Sequence, residues 1–112
     1  MNVSISRLST VQVLQPIPVN PKSIALGQFL LDYFGDSLTS VTVDKLSDVP
    51  RIGPGADRLT VLKQNGVFSR KLWIYISYDL QKLYVQLDSS RMKLLHVRNM
   101  NRLLSRIRRN II

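Results

Sequence analysis

An α+β domain with a mainly antiparallel sheet is the fold class this chain predicts, and three observations predict it. Alternating apolar and polar residues flank Asn65-Gly66, a capped apolar segment runs from Pro21 to Phe34, and a basic amphipathic segment fills residues 89–110. A period of two marks strands and a period of 3.6 marks helices, so separate blocks of both point to α+β. With 112 residues, 45% of them apolar, the chain has the size of a single domain, 1–112, with enough mass to bury a core.

Val3 to Ile5 and Val11 to Leu14 read as an N-terminal strand or bent hairpin, broken by the prolines between Gln15 and Pro21. The first 31 residues lack acid and are rich in Ser and Thr, which loosely resembles an organelle import peptide, but Val3 and Ile5 alternate with polar residues as a strand would. Asn20 is placed to cap a helix, Pro21 suits its first turn and Gly35 suits its end. Between them apolar residues occupy most sides, which predicts one buried helix, 21–34, covered by this domain or by a partner.

Leu38 to Val43 reads as a strand with Val41 and Val43 on one face, and Asp44 to Asp57, with two prolines and two glycines, as a long loop. A three-stranded meander follows over 58–88. If Asn65-Gly66 forms a two-residue turn, Leu59 lies opposite Leu72, Val61 opposite Arg70 and Arg58 opposite Trp73. A four-residue loop at Asp79–Lys82 pairs Ile76 with Val85 and Ile74 with Leu87. One face then carries Leu59, Val61, Leu72, Ile74, Ile76, Val85 and Leu87, and the other Arg58, Thr60, Lys71, Trp73, Tyr75, Tyr84 and Gln86.

Sixteen Lys and Arg stand against seven Asp and no Glu, giving a net charge of +9. That balance favours polyanionic partners. The absence of cysteine excludes disulfides and thiolate metal sites, and a single histidine, His96, offers no histidine metal centre; no cofactor or metal is expected, and no small-molecule substrate. His96 reads as a half-buried or helix-surface residue rather than a catalytic base, and the aspartates as caps and turn formers, so no enzymatic constellation emerges. Arg51-Ile52-Gly53-Pro54-Gly55 lacks the Lys-Ser/Thr of a phosphate-binding loop and reads as ordinary loop. No apolar run is long enough for a membrane helix.

Residues 91–112 hold seven of the basic residues and no acid. On a helix over 89–110, Val97, Met100, Leu104, Ile107 and Ile111 form one stripe, and Arg91, Arg98, Arg102, Arg106 and Arg109 fall within an arc of about 80° opposite it. Arginines four apart repel by roughly 0.2–0.5 kcal/mol per pair, and a phosphate backbone would turn that repulsion into attraction. Trp73, Tyr75 and Tyr84 beside Lys71 have the chemistry of a platform for unpaired bases, or of aromatics packed beneath another element. Three strands followed by a helix, over Arg58 to Arg109, resembles the element order of small sheet-type DNA-binding domains such as integrase arm-binding domains.

The leading expectation is therefore a small basic protein that binds DNA or RNA with low sequence specificity and without catalysis. The alternative is an oligomeric structural or assembly subunit of a virion or nucleoprotein particle, using helix 21–34 and the terminal stripe for contacts between copies. Either would act in the cytoplasm or within a virion.

Overall fold

A computed structural model describes residues 9–14, 18–88 and 93–112. Its best-capped element is α1, Pro21–Phe34, where the Asn20 side chain accepts from the Lys22 backbone N–H and Gly35, at positive φ, returns its N–H to the Leu31 carbonyl. Both bounds agree with those read from the cap residues. Burial is another matter. Ser23, Gly27, Leu30 and Leu31 are buried against the sheet while Ala25, Phe29, Asp32 and Tyr33 face solvent, so this helix is covered on one side rather than all round. Gly27 lets α1 pack close on its neighbours: a Cβ there would sit 3.0 Å from Val11 Cγ2 and 3.2 Å from Val41 Cγ1.

Eight strands accompany the two helices among the described residues: β1 (Gln12–Val13), β2 (Ser40–Lys45), β3 (Asp48–Val49), β4 (Gly53–Pro54), β5 (Asp57–Asn65), β6 (Phe68–Ile76), β7 (Leu83–Leu87) and β8 (Leu95–His96). Six of them form one mixed sheet in the order β1-β2-β5-β6-β7-β8, with β1 parallel to β2 and every other pair antiparallel. The fold is α+β, but the sheet is wider than a three-stranded meander and is not wholly antiparallel. The Val3–Ile5 strand lies outside the described residues.

Both hairpin registers differ from the sequence reading by two residues. Leu59 faces Ile74, Val61 faces Leu72 and Arg58 faces Tyr75, so the two-residue loop is Gly66-Val67 rather than Asn65-Gly66. Gly66 takes the positive φ of 65° and Asn65 stays in the strand. The expected register would have set Arg70 against Val61 on the apolar face; the observed one sets leucine there, and burial across the pair outweighs the local turn preference. Likewise Ile76 faces Leu83 and Ile74 faces Val85. Here Asp79 sits inside the turn: its carboxylate accepts from Ser77 Oγ–H at 2.7 Å and from the Gln81 N–H at 3.0 Å. A shift of two leaves side-chain parity unchanged, so the residues sharing each face are those expected.

The segment Asp44–Asp57 is not a long irregular loop. It ends β2, folds back as the small β3–β4 hairpin and starts β5. The core lies on the helix side of the sheet, where Val41, Val43, Leu59, Val61, Leu72, Ile74 and Val85 meet Leu30 and Leu31 of α1 and Leu103, Leu104 and Ile107 of α2 (Met100–Asn110). On the opposite side the β3–β4 hairpin lays Val49 and Ile52 over Tyr75, Trp73 and Tyr84, with Ala56, Leu46 and Leu94 completing a second, smaller cluster. No helix of the described chain is long and apolar enough to cross a membrane.

Candidate nucleic-acid interface

The terminal helix begins at Met100, not at residue 89. Asn99 caps it, accepting from the Arg102 N–H at 2.9 Å, and Leu95–His96 pairs with β7 as an edge strand instead of forming helical turns. The break lies where the chain must first complete the sheet, a long-range pairing that helical periodicity cannot reveal. It also separates the three strands from the helix by β8, unlike the element order of the integrase arm-binding type. His96 is thereby a strand residue, its ring 5.1 Å from that of Tyr84, and not a helix-surface residue.

On α2 the buried stripe consists of Leu103, Leu104 and Ile107, with Ile111 following. Met100, expected in that stripe, is exposed, whereas Val97 is buried ahead of the helix. Arg102, Arg106 and Arg109 share the far side within an arc of about 60°. Arg98, exposed, lies before the helix, and Arg91 lies outside the described residues, so three of the five expected arginines share the helix face. Among the described residues none of the three pairs with a carboxylate. Arg108 turns to the other flank, donating to the Tyr33 hydroxyl at 2.9 Å with its guanidinium 6.0 Å from the ring centre. Arg108 and Arg109 also occupy the last turn, where they oppose the negative end of the helix dipole.

Asn110, one turn beyond Arg106 and bonded to its carbonyl at 2.8 Å, lines a groove of about 260 Å³ with Ser69, Arg70, Lys71 and Asp88. Alternation places the Lys71 side chain on the aromatic side of the sheet with Trp73 and Tyr75, whereas Arg70 is on the helix side. Lys63 and Arg70 were not singled out by sequence reasoning. They stand directly opposite each other across β5 and β6, a relationship concealed by the two-residue register error.

The aromatic platform is not open. Tyr75 is 7% exposed and its hydroxyl donates to Gln86 Oε1 at 2.8 Å, while Trp73 and Tyr84 are half-buried beneath the β3–β4 hairpin. Arg51, at a positive φ of 75° in that hairpin's turn, places its guanidinium 5.9 Å from the Tyr84 ring centre. Arg58 does not lie over Trp73. It holds Asp44 through two bonds of 3.2 and 2.9 Å; burial opposes its charge most strongly, but Asp44 and Tyr75 together outweigh burial and keep the guanidinium above its ordinary pKa. These aromatics and the α2 arginines lie on opposite sides of the sheet and do not form one site.

Among the described residues no cluster of His, Asp or Glu has a metal-ligating arrangement. No family model matches the chain, and neither a curated protein nor a solved structure matches it.

Proposed function

We propose that this is a non-enzymatic nucleic-acid-binding protein of low sequence specificity, whose phosphate contacts come from Arg102, Arg106 and Arg109 of α2. The observation that carries the reading is the α2 face itself. Three arginines share it without a carboxylate partner among the described residues, on a chain of net charge +9. Such a face is repulsive in isolation and complementary to a regular row of phosphates. Contacts to phosphates carry no base information, which is the source of the low specificity. A protein of this kind would work in the cytoplasm or inside a virion.

The test is a fluorescence-anisotropy titration with single-stranded and duplex oligonucleotides across a salt series. Three phosphate contacts predict a log–log slope of about −2.7 on duplex DNA, at about 0.9 per contact. Replacing Arg102, Arg106 and Arg109 together by Gln should weaken binding to all sequences alike and flatten that slope by about 2.7. An unchanged slope, or a parent protein that fails to bind at 50 mM salt, overturns the reading.

One observation favours the assembly reading as a second. Phe29 and Tyr33 stack with ring centres 5.7 Å apart on the outer side of α1, 42% and 49% exposed. A self-complementary patch of this kind suits a symmetric homo-oligomer such as a virion or nucleoprotein subunit. Sedimentation distinguishes the two: a large assembly dispersed by Phe29→Ser supports the second, and a monomer that binds nucleic acid supports the first.

A further inference from the structure

The β5–β6 hairpin outruns its sheet. Pairing with β2 ends at Leu62 and pairing with β7 ends at Leu72, so residues 63–71 stand as a two-stranded arm with, among the described residues, no strand on either side. Its tip exposes two large apolar side chains, Val67 at 91% and Phe68 at 75%. Neither belongs to the core clusters.

The register of the arm fixes which side chains are neighbours. Lys63 opposes Arg70, and the next rung outward sets Asn65 against Phe68. Alternation puts all four on the helix side of the ribbon, where they line a cleft of about 250 Å³ closed by Ile112 beyond α2. Two cations directly opposite across an antiparallel pair destabilise the ribbon. An anion held between them removes the repulsion. Rungs on one face of a strand repeat at about 6.6–6.8 Å, comparable to the distance from a nucleotide's phosphate to the face of its base. The arm thus presents, in sequence along one face, a phosphate clamp and an open aromatic ring.

We propose that this arm binds an unpaired nucleotide, its phosphate between Lys63 and Arg70 and its base stacked on Phe68. The assignment rests on the nucleic-acid reading and sharpens it to single strands, because a base within a duplex has no free face to offer the ring. Between Asp57 and Asp79 the chain has no acid, and Asp88, which lines the neighbouring groove with Arg70, does not line the cleft that holds Lys63, Asn65 and Phe68. Stacking tolerates any base, in keeping with binding that reads no sequence.

The experiment compares the parent with Phe68→Ala, Phe68→Tyr and Lys63→Gln/Arg70→Gln by anisotropy on 15-mers of deoxythymidine, of uridine, and on a 15-base-pair duplex. Phe68→Ala should weaken both single strands about tenfold with an unchanged salt slope, since no phosphate contact is lost, and leave the duplex unaffected; Phe68→Tyr should restore binding. The double variant should flatten the single-strand slope by about 1.4, at roughly 0.7 per contact. Because Phe68 is exposed, unchanged melting temperatures separate these effects from misfolding. Single-strand affinity that survives Phe68→Ala, or duplex affinity that falls equally, overturns the arm proposal alone, provided the α2 arginine variant still loses binding. A parent protein that binds none of the three probes overturns both.

Discussion

The Ser23 hydroxyl donates a 2.7 Å hydrogen bond to Asp57 Oδ2, joining the first turn of α1 to the start of β5. The same oxygen accepts from the Asn20 N–H at 3.0 Å, and Oδ1 lies 2.8 Å from the Lys45 ammonium, in ion-pair contact though not aligned as a hydrogen bond. One carboxylate, 3% exposed, therefore locks the cap of α1 to two central strands.

Asp57→Ala leaves the Lys45 ammonium largely buried without its counter-charge and strips two donors of their acceptor. Breaking such a pair costs about 3–5 kcal/mol. The expected result is a large fall in the urea midpoint with the slope of the transition unchanged. Asp57→Asn, which keeps an acceptor for Ser23 and Asn20, should lose less.

The turn register makes a prediction that distinguishes neighbouring residues. Gly66, at φ 65°, should cost about 1–2 kcal/mol when replaced by Val, because a β-branched side chain is strained there. Asn65→Val should stay within about 0.5 kcal/mol, since Asn65 is an exposed strand position. Equal losses at the two sites in denaturant titrations would restore the Asn65-Gly66 turn.

The β6–β7 turn should loosen in acid. The Ser77 hydroxyl, and secondarily the Gln81 N–H, hold the Asp79 carboxyl below its ordinary pKa. A depressed folded-state pKa contributes stability that is present above the unfolded value and is lost as pH falls through the folded one. The Asp79 carboxyl carbon shift, followed by NMR, should titrate below the usual aspartate range. In Asp79→Asn the Gln81 amide should exchange faster at neutral pH and show no acid-dependent step.

Legibility in the sequence followed the range of each interaction. The caps of α1 are contacts within a few residues, so Asn20, Pro21 and Gly35 revealed both of its ends. Strand parity is equally local, which is why the residues sharing each face were correct even where the register was displaced. The arginines of α2 lie on one side because Arg102, Arg106 and Arg109 are spaced four and three apart, a relation independent of where the helix begins. By contrast, Arg98 was assigned to a helix it does not join, because Val97 and Met100 continue the helical stripe of Leu104 and Ile107, and only β7 shows that Leu95–His96 is a strand.

What the sequence by itself determined is thus the identity and faces of the main elements, the concentration of positive charge near the terminal helix, and the exclusion of cysteine chemistry. Tertiary structure alone decided the rest: the parallel pairing of β1 with β2, the two-residue offset that brings Lys63 opposite Arg70, and the folding of Asp48–Pro54 over Tyr75. The physical reason is common to all three. Each depends on burying apolar surface between segments far apart in the chain, a free energy that exceeds turn and helix preferences of about 1 kcal/mol and that no local window contains.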